Sequence, residues 1–129
     1  MTRPVAALCL LLATLFPRLC LADYDVVEVS FPRTESLKRV GQAIKLALID
    51  REWTLGAETE TSIQATLNRP GEQAWVKVRI TFRATGASIA YMDSSERDDA
   101  RLAYRYKAWV NNVAKDIPTS LQRVKILLD

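Results

Sequence analysis

Between Ala74 and Arg83 the chain alternates without a fault. Ala74, Val76, Val78, Ile80 and Phe82 fall on one side; Trp75, Lys77, Arg79, Thr81 and Arg83 fall on the other. A period of two marks a strand with one face in the core and one in water. The same period recurs nearby. Val27, Val29 and Phe31 alternate with Glu28 and Ser30, which predicts a short strand over 26–31 ended by Pro32. Residues 53–67 hold one or two strands, the clearer one placing Ile63, Ala65 and Leu67 opposite Ser62, Gln64 and Thr66. Asn68-Arg69-Pro70-Gly71 carries the residues of a turn. Ala84-Thr85-Gly86 makes a second turn, after which Ala87, Ile89 and Tyr91 alternate with Ser88, Ala90 and Met92.

Two segments switch to the helical period. Leu37, Val40, Ile44, Ala47 and Leu48 form a stripe, with Thr34 as the expected N-cap and an end near Arg51 or Glu52. Gly41 lies on that stripe, where it weakens a helix. Its place there predicts close approach to the sheet or to a second helix. Leu102, Tyr106, Trp109, Val113 and Ile117 form the second stripe, broadened by Val110. Ser94 or Ser95 is the expected cap, with Asp98 and Asp99 near the helix start. Pro118 is expected to stop or kink this helix, leaving Leu121, Val124 and Leu128 for a final short one. The order β-α-β-β-β-α predicts an α+β fold. It is a two-layer sandwich, an antiparallel three- to four-stranded sheet with two helices on one face and the first strand at an edge.

The first 22 residues read differently. Arg3, an apolar run from Val5 to Phe16, then Leu19-Cys20-Leu21-Ala22 before Asp23 have the form of a secretory signal. The run is too short for a bilayer span, which needs about 20 residues. Pro17, Arg18 and Leu19 do not form the small-residue context that lipidation of Cys20 requires. Cleavage after Ala22 would leave Asp23–Asp129 as a single domain with no transmembrane span, located in the periplasm or secreted. The sequence carries no sign of its oligomeric state.

Composition then narrows the chemistry. Both cysteines leave with the signal and the chain has no histidine. The mature part keeps 16 Lys and Arg against 15 Asp and Glu, a net charge of +1. That balance, without a dense basic block, argues against nucleic acid as a partner. A Ser-His-Asp triad, a thiol nucleophile and the usual zinc sites lack their residues. No glycine-rich loop is present to cradle phosphates, and no cofactor is implied.

Three groups of residues could still carry function. Asp93, Glu96, Asp98 and Asp99 cluster before the last helix and read first as capping charges, with calcium binding or catalysis as lesser readings. Trp75, Lys77, Arg79 and Arg83 share the polar face of the clearest strand, beside Gln64, Thr66, Ser88 and Met92. Cations interleaved with an aromatic suit an anionic polymer, a headgroup or a glycan. Tyr104, Tyr106 and Trp109, with Trp53 and Tyr91, read as core packing.

The pattern resembles a family of small uncharacterised bacterial envelope lipoproteins. The shared features are Trp53 after the first helix, Tyr91-Met92-Asp93-Ser94 at the end of the sheet, and Tyr106-Lys107-Ala108-Trp109-Val110 in the last helix. They run from about Leu37 to Ile117. The lipidation cysteine of that family is missing here, and a histidine common there is replaced around Ala103. The resemblance implies an α+β envelope domain and transfers no catalytic residue. The expectation is a non-catalytic exported domain that binds an envelope protein or polymer. The alternative is a carrier or sensor of a small amphiphile held between sheet and helices. An enzyme built on the Asp93–Asp99 carboxylates comes third.

Overall fold

A computed structural model describes residues 24–128, so the signal-like segment and both cysteines lie outside the described residues. Eight elements follow: β1 (Val27–Ser30), α1 (Leu37–Asp50), β2 (Thr54–Glu58), β3 (Ser62–Arg69), a 3-10 turn (Pro70–Glu72), β4 (Ala74–Arg83), β5 (Gly86–Ser94) and α2 (Ala100–Leu128). The five strands make one antiparallel sheet in the order β1-β5-β4-β3-β2. The α+β architecture is therefore the expected one, with two helices packed on the sheet. The strand count is five, and the order becomes β-α-β-β-β-β-α.

The added strand is β2. Its residues are almost all exposed, and its register with β3 shifts between Leu55 and Glu58. An edge strand with one neighbour and a bulge need not alternate, so its sequence shows little. β1 forms the other edge, as expected, and its partner there is β5.

The apolar side of the sheet meets both helices in one core. Val76, Val78, Ile80, Ile63, Leu67 and Ile89 are sealed beneath Val40, Ile44 and Leu48 of α1 and Tyr106, Val110 and Ile117 of α2. Two glycines mark the closest approaches. A β-carbon on Gly41 would lie 3.2 Å from Phe82 Cζ, which gives the stripe glycine its role against the sheet. A β-carbon on Gly86 would lie 2.2 Å from the Val29 carbonyl oxygen, so β1 can pair with β5 there only beside a glycine.

The helix ends differ in detail from expectation. Ser36 caps α1, its Oγ accepting the Arg39 N–H at 3.3 Å, because the preceding Glu35 N–H is held by the Ala84 carbonyl. Thr34 therefore lies outside the helix. Asp99 caps α2 through Oδ1, which accepts the Arg101 N–H at 2.8 Å. Ser94 and Ser95 are occupied elsewhere: Ser94 closes β5, and Ser95 bonds the backbone of Trp75. At its far end α1 closes by a Schellman motif. Glu52 adopts φ 68° and donates its N–H to Ile49, while Trp53 donates to Leu48.

Pro118 does not end α2, which runs unbroken to Leu128, so no separate final helix forms. A proline inside a helix costs about 3 kcal/mol. Val113, Ile117, Leu121 and Val124 are all buried on one continuous stripe spanning that point. Their combined burial outweighs the one missing hydrogen bond, at roughly 1.5–3 kcal/mol per large apolar side chain.

Candidate functional site

The polar face of the sheet carries the expected candidates. Neither helix covers it, because both are committed to the opposite face. Trp75, at 37 % exposure, stands at the start of β4. Its backbone is clamped: the Trp75 N–H donates to Ser95 Oγ, and the Ser95 N–H donates to the Trp75 carbonyl, both at 3.1 Å. Lys77 and Arg79 follow on the same side. Alternate side chains on a strand recur roughly every 6.8 Å. Among the described residues, neither cation makes a side-chain hydrogen bond or ion pair. Arg83 is different. Its guanidinium lies 3.5 Å from Glu28 and 3.4 Å from Ser88, so the edge strand engages it.

On the β3 flank register places neutral partners beside the free residues, while on the β5 flank Asp93 lies opposite Lys77. Asn68 lies opposite Trp75, Thr66 opposite Lys77 and Gln64 opposite Arg79. Asn68 reads from sequence as turn, yet β3 extends to Arg69. Its inclusion follows from the continued alternation Leu67-Asn68-Arg69. On the other flank Ala90 lies opposite Arg79, leaving low ground there.

A bulge reshapes the end of β5. Val78 pairs with Tyr91 and Lys77 with Asp93, so Met92 is an extra residue on that strand. The insertion brings Asp93 to the polar face and turns Ser94 inward, where it is buried. The Tyr91 and Ser94 hydroxyls lie 2.8 Å apart, and Asp93 Oδ1 accepts the Ser94 N–H at 2.8 Å. The Tyr-x-Asp-Ser segment is thus the internal bonding of a bulge.

The carboxylate cluster separates. Asp93 joins the polar face, Asp98 is exposed, and Asp99 is used in capping. Glu96 and Asp99 line an open cleft of about 430 Å3 together with Glu72, Arg101 and Arg105. Glu72 and Arg105 form an ion pair across it. Among the described residues no group of His, Cys, Asp or Glu is placed to hold a metal ion.

The aromatics divide. Trp53 and Tyr106 are buried, whereas Tyr104 is 76 % exposed and takes no part in the core. Trp109 packs against the core with Arg69 6.0 Å from its ring centroid. Tyr24, Tyr91 and Tyr106 cluster in tilted and edge-on contacts with centroids 4.3–5.6 Å apart. The Tyr106 hydroxyl is buried without a protein partner, and burial raises its pKa strongly. A second open cleft, of about 440 Å3, lies between α1 and the β2–β3 hairpin over Leu37, Ile63 and Phe82. No helix among the described residues is long and apolar enough to cross a membrane. Compared with known proteins, the chain matches no family model and has no significant match among curated sequences.

Proposed function

We propose that the chain is a non-catalytic binding domain of the bacterial cell envelope, exported by its N-terminal segment, with the open sheet face as its contact surface. One observation carries this reading. Lys77 and Arg79 stand in a row, neither drawn into an ion pair although Asp93 lies opposite Lys77, beside a clamped and partly exposed tryptophan, on a face that neither helix covers. Trp and Arg are the side chains that most often dominate binding energy. Unpaired cations favour an anionic partner by charge complementarity, which acts on association rate and specificity. Arg83, already engaged by Glu28, contributes less.

The test is capture from periplasmic extract. Lys77→Glu combined with Arg79→Glu reverses the charge of the row. Capture should be lost while folding stability stays within about 0.5 kcal/mol, the usual range for surface changes. Undiminished capture by this variant would refute the reading.

A further inference from the structure

We infer that the occupant of this face is an acidic polysaccharide, a chain of sugars bearing carboxylates, laid along β4. The inference rests on the sheet face being the contact surface and adds the chemistry of what sits there.

The shape comes first. Small-molecule sites are concave. This face is one side of a five-stranded sheet whose β4 is 10 residues long and lies in the middle. A surface without walls suits an extended polymer.

The pairing of side chains selects the polymer. Three projecting groups on β4 have a neutral polar neighbour on β3: Asn68 beside Trp75, Thr66 beside Lys77, Gln64 beside Arg79. Directly opposed residues have β-carbons about 5 Å apart. Asn and Gln each offer donors and an acceptor, and Thr offers both through one hydroxyl. Such a row satisfies a partner dense in hydroxyl groups. An acidic peptide would use the two cations but offers fewer groups to the row, one backbone N–H and one C=O per residue against several hydroxyls per sugar.

Trp75 supplies what a sugar ring needs besides hydrogen bonds. Its indole is a flat, amphipathic surface held by a fixed backbone. Stacking on it leaves the ring hydroxyls free for Asn68 and Thr66. The Arg79 fork then suits a carboxylate, with Lys77 as a second point charge.

The charge balance sets the density of anions. Lys77, Arg79 and Arg83 are offset on this face by Glu28 and Asp93, which leaves one net positive charge. Nucleic acid carries one phosphate per roughly 3.4 Å of strand and calls for a larger excess. A polymer with about one carboxylate per sugar, interrupted by hydroxyls, fits the two free cations better.

The experiment uses three probes of matched length on the purified chain: alginate, neutral dextran and polyglutamate, measured by affinity electrophoresis and calorimetry. Alginate should bind, with polyglutamate at least about tenfold weaker and dextran undetected. Trp75→Ala should weaken alginate about tenfold, the scale of one aromatic stacking contact. Lys77→Gln with Arg79→Gln should abolish binding, and Arg83→Gln should leave it within twofold.

Equal binding of alginate and polyglutamate would overturn the glycan inference, since the face would then read charge alone. Equal binding of dextran would overturn it as well, because the cations would be idle. Absence of binding to any probe would remove the glycan yet leave the extract capture to judge the surface itself. Alginate binding that survives the double variant would refute both, because the site would lie elsewhere.

Discussion

Val76, Val78, Ile80 and Phe82 share a strand with Trp75, Lys77, Arg79 and Thr81, yet the two sets answer to different constraints. The first set is at most 5 % exposed and is bounded by side chains from both helices. Each member is fixed in size by what surrounds it, because interiors are packed like organic crystals. The second set is bounded by water and by its cross-strand neighbours. Stability therefore fixes the inner residues and leaves the outer ones free for other uses. Two unpaired cations and an exposed indole on the free side are informative for that reason: packing does not require them.

Neighbouring substitutions test the division most sharply. Ile80→Ala should cost about 3–4 kcal/mol, because it removes a sealed side chain and leaves a cavity. Thr81→Ala, one residue along and facing water, should change stability by no more than about 0.5 kcal/mol. Urea unfolding of the two variants gives the comparison directly. Losses of similar size would mean that the outer face is covered in solution, and the contact surface would have to be sought elsewhere.

A smaller effect concerns a polar flaw in the core. Tyr106 is 1 % exposed and its hydroxyl has no protein partner. Burial raises its pKa, and the neighbouring Tyr91 and Tyr24 raise it further. Tyr24 is shifted the same way, chiefly by burial and then by Tyr91. Both hydroxyls are neutral at pH 7 in the folded and unfolded chain, so stability is flat there. Near pH 10 the unfolded chain begins to release these protons while the folded chain retains them. The unfolded state then binds fewer protons, and stability must fall as pH rises. Tyr106→Phe should add about 1 kcal/mol at pH 7 by removing the unsatisfied hydroxyl. It should also flatten much of the alkaline decline in a series of unfolding curves. A loss of stability at pH 7 would show that the hydroxyl is bonded after all.

The same division explains what could be read from the chain. The inner face was legible because burial imposes a period: Val76 to Phe82, Ile63 to Leu67 and the α2 stripe all reappear in the core. Pro118 misled because its penalty is local, whereas the stripe through Ile117 and Leu121 acts over the whole helix. β2 was blurred because an edge strand with exposed residues has no buried row to reveal. The bulge at Met92 was hidden because an inserted residue leaves no mark until pairing with Lys77 and Val78 is known. For the candidate site, alternation placed Trp75, Lys77, Arg79 and Arg83 on one face. It could not separate Arg83 from the rest, since Glu28 reaches it only through the β1–β5 register. Nor could it foresee Asn68 beside Trp75, which depends on how far β3 runs.

The smallest expected effect lies at the end of α1, where backbone geometry rather than either face decides. Glu52 holds φ 68°, a left-handed conformation that costs an L-residue roughly 1–2 kcal/mol. It persists because the turn is locked on both sides: Trp53, 4 % exposed, and Leu48, fully buried, are joined by the Trp53 N–H bond to the Leu48 carbonyl. Glu52→Gly removes the steric cost at that position. Two terms oppose the gain. Glycine raises the entropy of the unfolded chain. The exposed Glu52–Arg69 contact at 3.9 Å is also lost, and such a pair contributes a few tenths of a kcal/mol at most. The balance should favour the variant by about 0.5 kcal/mol, read as a higher urea midpoint with an unchanged slope. A net loss of that size instead would mean that Glu52 acts through its side chain, holding Arg69 over the Trp109 ring. The turn would then belong to the packing of the inner layer, and the boundary between packed and free residues would have to move outward to include it.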